Sequence, residues 1–488
     1  MKTHLFLCSC FAAILLLFSS IVKAEVSSTY ETVIVKVGMQ PMAIFPDNPS
    51  SCDVFNVICA GIDLDFNGNI DEGDEKMSWW KLKNVAAANP NNPMGEIEAV
   101  KVMDFDIVGL TNFPYRGHNK SNDKSLYICY NDYVLSYDVV TAEILDTIKI
   151  AGAKAVSTND DNLCFISVRE YEKPGDYIPI DNYVVIYNVD TKSIIDTIKT
   201  GNLVQETLCY FDDVAQEERL AILCEGGNSE LEFYSLNNFE KLNSIPLGKN
   251  GNDIFYIKLK INQPPFTGSF QLILVVINGE HKVISVDANK MSTDIPVFEA
   301  LGISTFIDLP TTGYNGPREI SGTSENKLCI TAYDGNVYIV DPFKDTMEIL
   351  KTNGTPESVY GAFLKNDANI NFAFTDIYTI PGTYIASNEV EFVYNNNGNI
   401  KNYENNCTIY PNPVVDNVTA YLPENFGINV TSEIFDINGR KVQTIEDINV
   451  LDDNSINFNI NSNLAKGIYY INFISNDNNN IKVKFIKD

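Results

Sequence analysis

Residues 63–74 read DLDFNGNIDEGD, with oxygen-bearing side chains at alternating positions. Asp63, Asp65, Asn67, Asn69, Asp71 and Asp74 fall at places 1, 3, 5, 7, 9 and 12 of an EF-hand-like loop. Gly68 stands at place 6, where the turn is sharpest, and Ile70 at place 8. Oxygen ligands spaced in this way wrap a hard cation, and place 7 gives its backbone carbonyl, so the expected cofactor is Ca²⁺. Place 12 is Asp74, shorter than the usual Glu and followed by Glu75, which weakens bidentate closure. No amphipathic helix flanks the loop: strand-like FNVICAG precedes it and MSWWKLK follows. The reading is an isolated calcium loop on a hairpin, with a plain acidic Asn-Gly hairpin as the alternative. Outside the cell calcium is millimolar, so even a site in the roughly 10⁻⁴–10⁻³ M class would fill.

Other chemistry is sparse. The chain has 3 histidines, His4, His118 and His281, and the last two read as surface or hairpin residues. There is no GxSxG, GxxxxGK[ST] or GxGxxG, so no catalytic residue and no nucleotide cofactor is expected. Beyond residue 24 lie Cys52, Cys59, Cys129, Cys164, Cys209, Cys224, Cys329 and Cys407, most of them inside apolar runs such as LYICY, LCFIS and LAILC. They read as small buried hydrophobes, with Cys52–Cys59 the pair best placed for a bridge if one forms. No CxxC occurs, which excludes a zinc ribbon. Trp79-Trp80 on a strand puts one ring on each face, as core rather than as a carbohydrate platform. The segment REYEKPGDYIPID (169–181) reads as a projecting hairpin that could join a binding rim.

The elements that carry these residues repeat. VLSYDVVTAEILDTIKIAG ends at Gly152, VVIYNVDTKSIIDTIKTG at Gly201 and LEFYSLNNFEKLNSIPLG at Gly248. Weaker copies, VISVDANKMSTDIPVFEALG and VYIVDPFKDTMEILKTNG, end at Gly302 and Gly354. Each is an alternating strand, a polar turn and a second strand, with an apolar strand upstream. Divergent copies at 55–84 and 370–396 bring the count to seven units of about 50 residues. Four-stranded units at this period fit a seven-bladed β-propeller, an all-β fold. The last copy lacks its final strand, and TYETVIVKVG at the start of the mature chain matches it, so the N-terminal segment is expected to complete blade seven. VIYNVDTKSIIDTIKTG and LSYDVVTAEILDTIKIAG resemble the YVTN-type propeller repeats of bacterial surface and periplasmic proteins. That resemblance spans roughly residues 28–398 and implies a binding or scaffold fold without fixing a function.

After Asn395 comes an Asn-rich linker, then period-2 strands separated by Asn-Gly and Lys-Gly turns. These predict a β-sandwich of about 80 residues, with Asn438-Gly439 suited to a type I′ hairpin turn. Tyr410-Pro411-Asn412-Pro413, Phe435 to Arg440, Gly467 to Tyr470 and Val483 to Lys487 stand in the order of the type A C-terminal sorting domain of the Bacteroidetes type IX secretion system, which this segment resembles. The resemblance implies the type IX secretion machinery as a partner through residues 407–488, and export across the outer membrane.

The start of the chain agrees with export. Residues 1–24 combine Lys2, an apolar run from Leu5 to Leu17 and small residues before a cut after Ala24, as in a secretory signal peptide. The expected organisation is therefore a leader at 1–24, a propeller at 25–398, a linker at 399–406 and a sorting domain at 407–488. No later stretch is apolar enough to span a bilayer. A net charge of −29 argues against a nucleic-acid partner. Three functions remain open: a secreted or surface binding and scaffold module for an extracellular protein or glycan, a structural surface-layer component, and a calcium-dependent carboxylate-based hydrolase or lyase.

Overall fold

The computed structural model describes residues 24–26, 30–47, 54–65, 70–86, 96–108, 125–130, 133–159, 162–171, 179–201, 203–263, 266–301, 305–323, 327–341, 346–361, 370–395, 408–410, 414, 417–422, 429–436, 440–451, 455–461, 464–475 and 480–487. Leader residues 1–23, Asn67, Asn69, Cys52, Cys407, His118, Asn438-Gly439 and the linker lie outside them. The chain divides into two compact units, Met1–Asn395 and Asn396–Asp488.

Among the described residues, the first unit contains seven antiparallel sheets in chain order. Blade 1 is Pro41–Pro46, Val54–Cys59, Lys76–Ala86 and Glu96–Val108, and blade 2 shows Ser125–Tyr130, Tyr133–Asp138 and Ile144–Lys149. Blade 3 runs Ala153–Thr158, Leu163–Glu170, Asp181–Asn188, Ser193–Lys199; blade 4 runs Val204–Asp212, Glu217–Cys224, Ser229–Ser235, Lys241–Gly248. Blade 5 is Gly251–Gln263, Phe266–Ile277, Lys282–Asp287 and Phe306–Asp308, and blade 6 is Pro317–Gly322, Leu328–Ala332, Asn336–Asp341 and Thr346–Lys351, with Ala24–Val26 added in parallel at its edge. Blade 7 takes Thr355–Gly361, Ile370–Tyr378 and Ala386–Asn395 from the end of the unit and Tyr30–Lys36 from its start.

The N-terminal strand thus closes the ring as its sequence match required: Thr32 pairs with Val393, Ile34 with Glu391 and Val35 with Val390. Strand alternation explains the packing between blades, because successive side chains point to opposite faces. Cys164 and Ile166 face blade 2 while Phe165 between them faces blade 4. Seven such shared cores run around the ring, and the one between blades 7 and 1 joins Val35, Val390 and Phe392 to Ile44, Phe55 and Val57.

Two sequence expectations need correction. The unit ending at Gly302 does not finish in a strand: Pro296–Leu301 is a short helix, and the outer strand of blade 5 comes later, at Phe306–Asp308. Pro296 suits a first helical turn and lacks the N–H a strand would use, and Glu-Ala-Leu favours helix. Cys59 carries a free thiol, fully buried in the core between blades 7 and 1, so it is not bridged to Cys52. Cys129, Cys164, Cys224 and Cys329 are likewise buried free thiols, and Cys209 is half-buried. Burial pushes the Cys129 thiol up to about 12. Trp79 is fully buried toward blade 2 and Trp80 packs against the opposite core, so neither forms a platform.

The second unit has a three-stranded sheet (Thr408–Tyr410, Asn417–Tyr421, Ser455–Asn459) and a four-stranded sheet ordered Lys441–Asn449, Asn429–Asp436, Gly467–Ser475, Asn480–Lys487. The two share one core in which Val418, Ile456 and Phe458 meet Ile434, Ile471 and Phe473. Val414 N–H donates to Ile486 O at 2.7 Å, tying the first sheet's segment to the last strand.

Candidate functional site

The described first strands of the blades line the ring interior, and these strands share one register. Each described one shifts its pairing near its start, and in four of these six strands a residue at the shift takes a common role. Glu206 of blade 4 accepts from Ile254 N–H of blade 5 at 3.3 Å, and Asp253 accepts from Ile320 N–H of blade 6 at 2.8 Å. Glu319 accepts from Val359 N–H of blade 7 at 2.9 Å, and Ser358 Oγ accepts from Ile44 N–H of blade 1 at 3.2 Å. All four side chains are buried. A bulge frees an amide that the next strand cannot reach, and a buried unpaired amide is costly. Three acids and one serine therefore latch one blade to the next.

The residue before each latch sits at the mouth where the inner strands begin. Asn252, Arg318 and Glu357 come from blades 5, 6 and 7 in turn. Arg318 Nη1 donates to Asn252 Oδ1 at 3.2 Å and Nη2 to Glu357 Oε1 at 3.0 Å, while its guanidinium stacks 4.3 Å over Tyr333. On the other side Arg169 of blade 3 donates to Val204 O at 2.8 Å, to Gln205 Oε1 at 2.6 Å and to Glu225 Oε2 at 2.8 Å. Lys154 lies over Tyr171 at 5.9 Å, and burial, then Arg169, hold its ammonium below the usual lysine range. The mouth is polar and largely charge-compensated. Its arginines grip carboxylates and carbonyls, which positions a wall and does not activate a nucleophile.

Antiparallel order places every loop between second and third strands, and every crossover to the next blade, at this same end. Residues 60–65 and 70–75, and Tyr171 and Ile180, therefore lie beside the mouth, as do loops 309–316 and 379–385. Residues 172–178 of the hairpin read from the sequence lie outside the described residues. Among the described residues, these loops expose Leu64, Ile70, Ile180, Tyr314, Ile380, Tyr384 and Ile385. Tyr314 is 96% and Tyr384 87% exposed. Among the described residues, loops at the opposite end expose Val140 and Val214. His281 lies in the blade 5 turn, where Nδ1 and the Thr311 hydroxyl are 2.8 Å apart, a hairpin role.

Loop 60–75 is stitched to the closing crossover. Met39 N–H donates to Glu75 Oε1 at 2.9 Å, Ala60 and Gly61 N–H donate to Gln40 O and Met39 O, and Ile62 pairs with Glu75. Gly61 has φ +79°, and a Cβ there would meet Glu75 O at 2.0 Å, so only glycine fits. Within the loop Asp63 is buried while Asp65 and Asp71 are exposed. Asp74 accepts from Leu64 N–H at 2.9 Å and from Asp71 N–H at 2.8 Å, so it closes the turn with both oxygens. The four carboxylates do not gather three oxygens within ligand reach of one another; among the described residues only Asp376, Glu389 and Glu391 do.

Residues 408–488 match the family described as "Secretion system C-terminal sorting domain". The chain is an exported protein. The sorting domain directs it through type IX secretion to the cell surface or the extracellular space, and no described helix is long and apolar enough to cross a membrane. No curated protein matches the chain. Among solved structures, a crystal structure of the WD40 β-propeller domain of Doa1 is similar at 8% identity and a TM-score of 0.46, covering 75% of this chain and 97% of that one. The seven-sheet ring of this exported protein stands on its own strand pairing and shared cores.

Sequence reasoning did not find the latches or the mouth. Their only trace is that Glu206, Asp253 and Glu319 each follow a polar residue near the start of an inner strand, at irregular intervals along the chain.

Proposed function

We propose that this exported propeller is a binding module, and that the mouth end of the ring docks an extracellular protein. The observation that carries this reading is the gathering of exposed Tyr, Ile and Leu on the loops of that one end, around a polar, charge-paired centre. Exposed apolar patches mark interaction surfaces, and tyrosine is enriched among the residues that dominate binding. Aliphatic side chains beside the tyrosines favour a protein partner over a glycan, which offers hydroxyls to stack on aromatic rings but little to bury isoleucine. Changing Tyr314→Ala and Tyr384→Ala together should leave the melt unchanged, because both rings are in water, and should weaken partner binding at least tenfold. The measurement is surface crosslinking on the producing cell, comparing this variant with Val214→Ala at the opposite end. A discrete crosslinked partner lost only in the tyrosine variant supports the reading. An equal partner in both variants, or saturable binding of a glycan instead, would reject it.

We also propose that loop 63–74 takes Ca²⁺, with Asp74 exchanging its two amides for the ion. Four carboxylates crowd this hairpin, and a cation offsets their repulsion. Binding to the folded state alone stabilises it by about 2.7 kcal/mol at free calcium 100-fold above Kd. Because Glu75 and Gly61 bond the closing crossover, the gain should reach the junction of blades 7 and 1. Calorimetric melting should show a chelator-dependent drop that Asp63→Ala with Asp65→Ala diminishes. A calcium response of the same size in that variant and the wild type would leave the acidic hairpin as the better description.

A further inference from the structure

We propose that Asp376, Glu389 and Glu391 hold a calcium ion between blades 7 and 6. Asp376 lies on Ile370–Tyr378, and Glu389 and Glu391 lie on the neighbouring strand Ala386–Asn395. Asp376 pairs directly with Glu389, and Phe374 with Glu391, so alternation sends all three carboxylates to one face. That face looks toward blade 6, where the adjoining positions Phe374 and Val393 pack against Cys329 and Ile339. One oxygen from each carboxylate lies within 4.8 Å of the others.

Burial makes this more than an acidic patch. Asp376 is 0% and Glu391 1% exposed. Both oxygens of Asp376 and Oε1 of Glu391 are sealed from solvent without a hydrogen-bond partner, although the Glu391 carboxylate also accepts from the Thr32 side chain and the Asn353 backbone N–H. Leaving buried carboxylate oxygens bare is among the costliest arrangements a fold can hold. The surrounding chain accommodates the cluster: Gly354 faces it so closely that a Cβ there would sit 2.8 Å from Asp376 Cγ.

Charge and donor type identify the occupant. Lys36, on the closing strand, is ion-paired with Glu389. Three carboxylates against one ammonium leave two charges uncompensated, which a divalent ion removes. All-oxygen, anionic donors suit a hard cation. A sealed pocket disfavours Mg²⁺, which sheds its water reluctantly, and Ca²⁺ tolerates irregular cages of carboxylates. The competing account is a proton shared between Asp376 and Glu391. Burial, and next the charge of Glu391, push the Asp376 carboxyl well above the usual carboxylate range. One proton would join one oxygen of each residue and still leave the second oxygen of Asp376 bare. A cation can serve all three.

The inference is independent of the 63–74 loop, and the test separates them. Purified full-length protein is stripped with chelator, and calcium binding is measured by equilibrium dialysis. The comparison is wild type, Asp376→Asn with Glu391→Gln, and Asp63→Ala with Asp65→Ala. The loop variant should keep one calcium per chain that the Asp376/Glu391 variant lacks. Glu389→Gln, at the cluster's more accessible edge, should weaken that same calcium at least tenfold and serves as the second variant if the first does not fold. Undiminished calcium binding in the Asp376/Glu391 and Glu389 variants would overturn the site. So would an Asp376/Glu391 variant that melts higher than wild type by the same amount with chelator and with calcium, since that is the signature of a relieved proton-sharing pair.

Discussion

Val35→Asp should abolish the normal melt of the propeller, whereas Ile34→Thr, one residue earlier, should shift it by about 2 °C or less. Both residues lie on Tyr30–Lys36, the strand that the start of the chain lends to the end of the ring. Val35 pairs with Val390 and is buried in the core shared by blades 7 and 1, beside Phe392 and Phe55. Ile34 is 41% exposed. An aspartate at 35 loses the burial of a valine, worth about 1.5–3 kcal/mol, and adds an unpaired charge to an apolar site. A total loss of roughly 4 kcal/mol or more is a large part of the 5–15 kcal/mol typical of a folded domain. The location multiplies the consequence. If the strand leaves, Ala386–Asn395 becomes an open sheet edge, and such edges pair with other chains. Calorimetry should therefore show a broadened or missing transition, and size-exclusion chromatography should show association. A Val35→Asp protein that melts and elutes as wild type does would mean that the N-terminal strand does not close the ring.

Closure was legible because it depended on a pattern. TYETVIVKVG alternates with the same period as the outer strands of other units, and the last unit visibly lacked one. Blade number was legible for a similar reason, since Gly152, Gly201, Gly248 and Gly354 all fall at or beside blade junctions. Pro296–Leu301 was missed because the repeat suggested a strand while local propensity chose a helix. The latches Glu206, Asp253 and Glu319 bond backbone amides, so they demand no partner side chain and leave no motif. Irregular loop lengths also break their spacing. The ligand spacing at 63–74 suggests a calcium loop, but spacing could not show that Asp74 already closes the turn with two amides. The buried carboxylates show the converse. EVEFVY and FAFTDIY alternate correctly for strands, yet Glu391 and Asp376 occupy positions that pattern assigns to the core. A polar residue at an apolar beat is a weak signal in one strand. It becomes a strong one only when register brings two such residues together.

Deleting residues 407–488 should leave a folded propeller that stays in the periplasm of a host carrying the secretion system. The folding half of this expectation follows from topology. Blade 7 draws its outer strand from Tyr30–Lys36, so no described blade needs a strand from the second unit. That unit has its own sheets and its own core, centred on Ile434, Ile471 and Phe473. Two units with separate cores unfold as separate transitions unless their interface is large. The truncated protein should thus keep the propeller transition within about 3 °C of its position in the full chain and lose the other one. The export half follows from the sorting-domain match at 408–488. Its effect is close to all-or-none, because a cargo without its address is not recognised, whatever its stability. Fractionation reads the location and calorimetry on the purified truncated protein reads the fold, so the two halves fail separately. A truncated protein found on the cell surface would reject the address. One that no longer melts cooperatively would show that the ring depends on contacts beyond its seven blades.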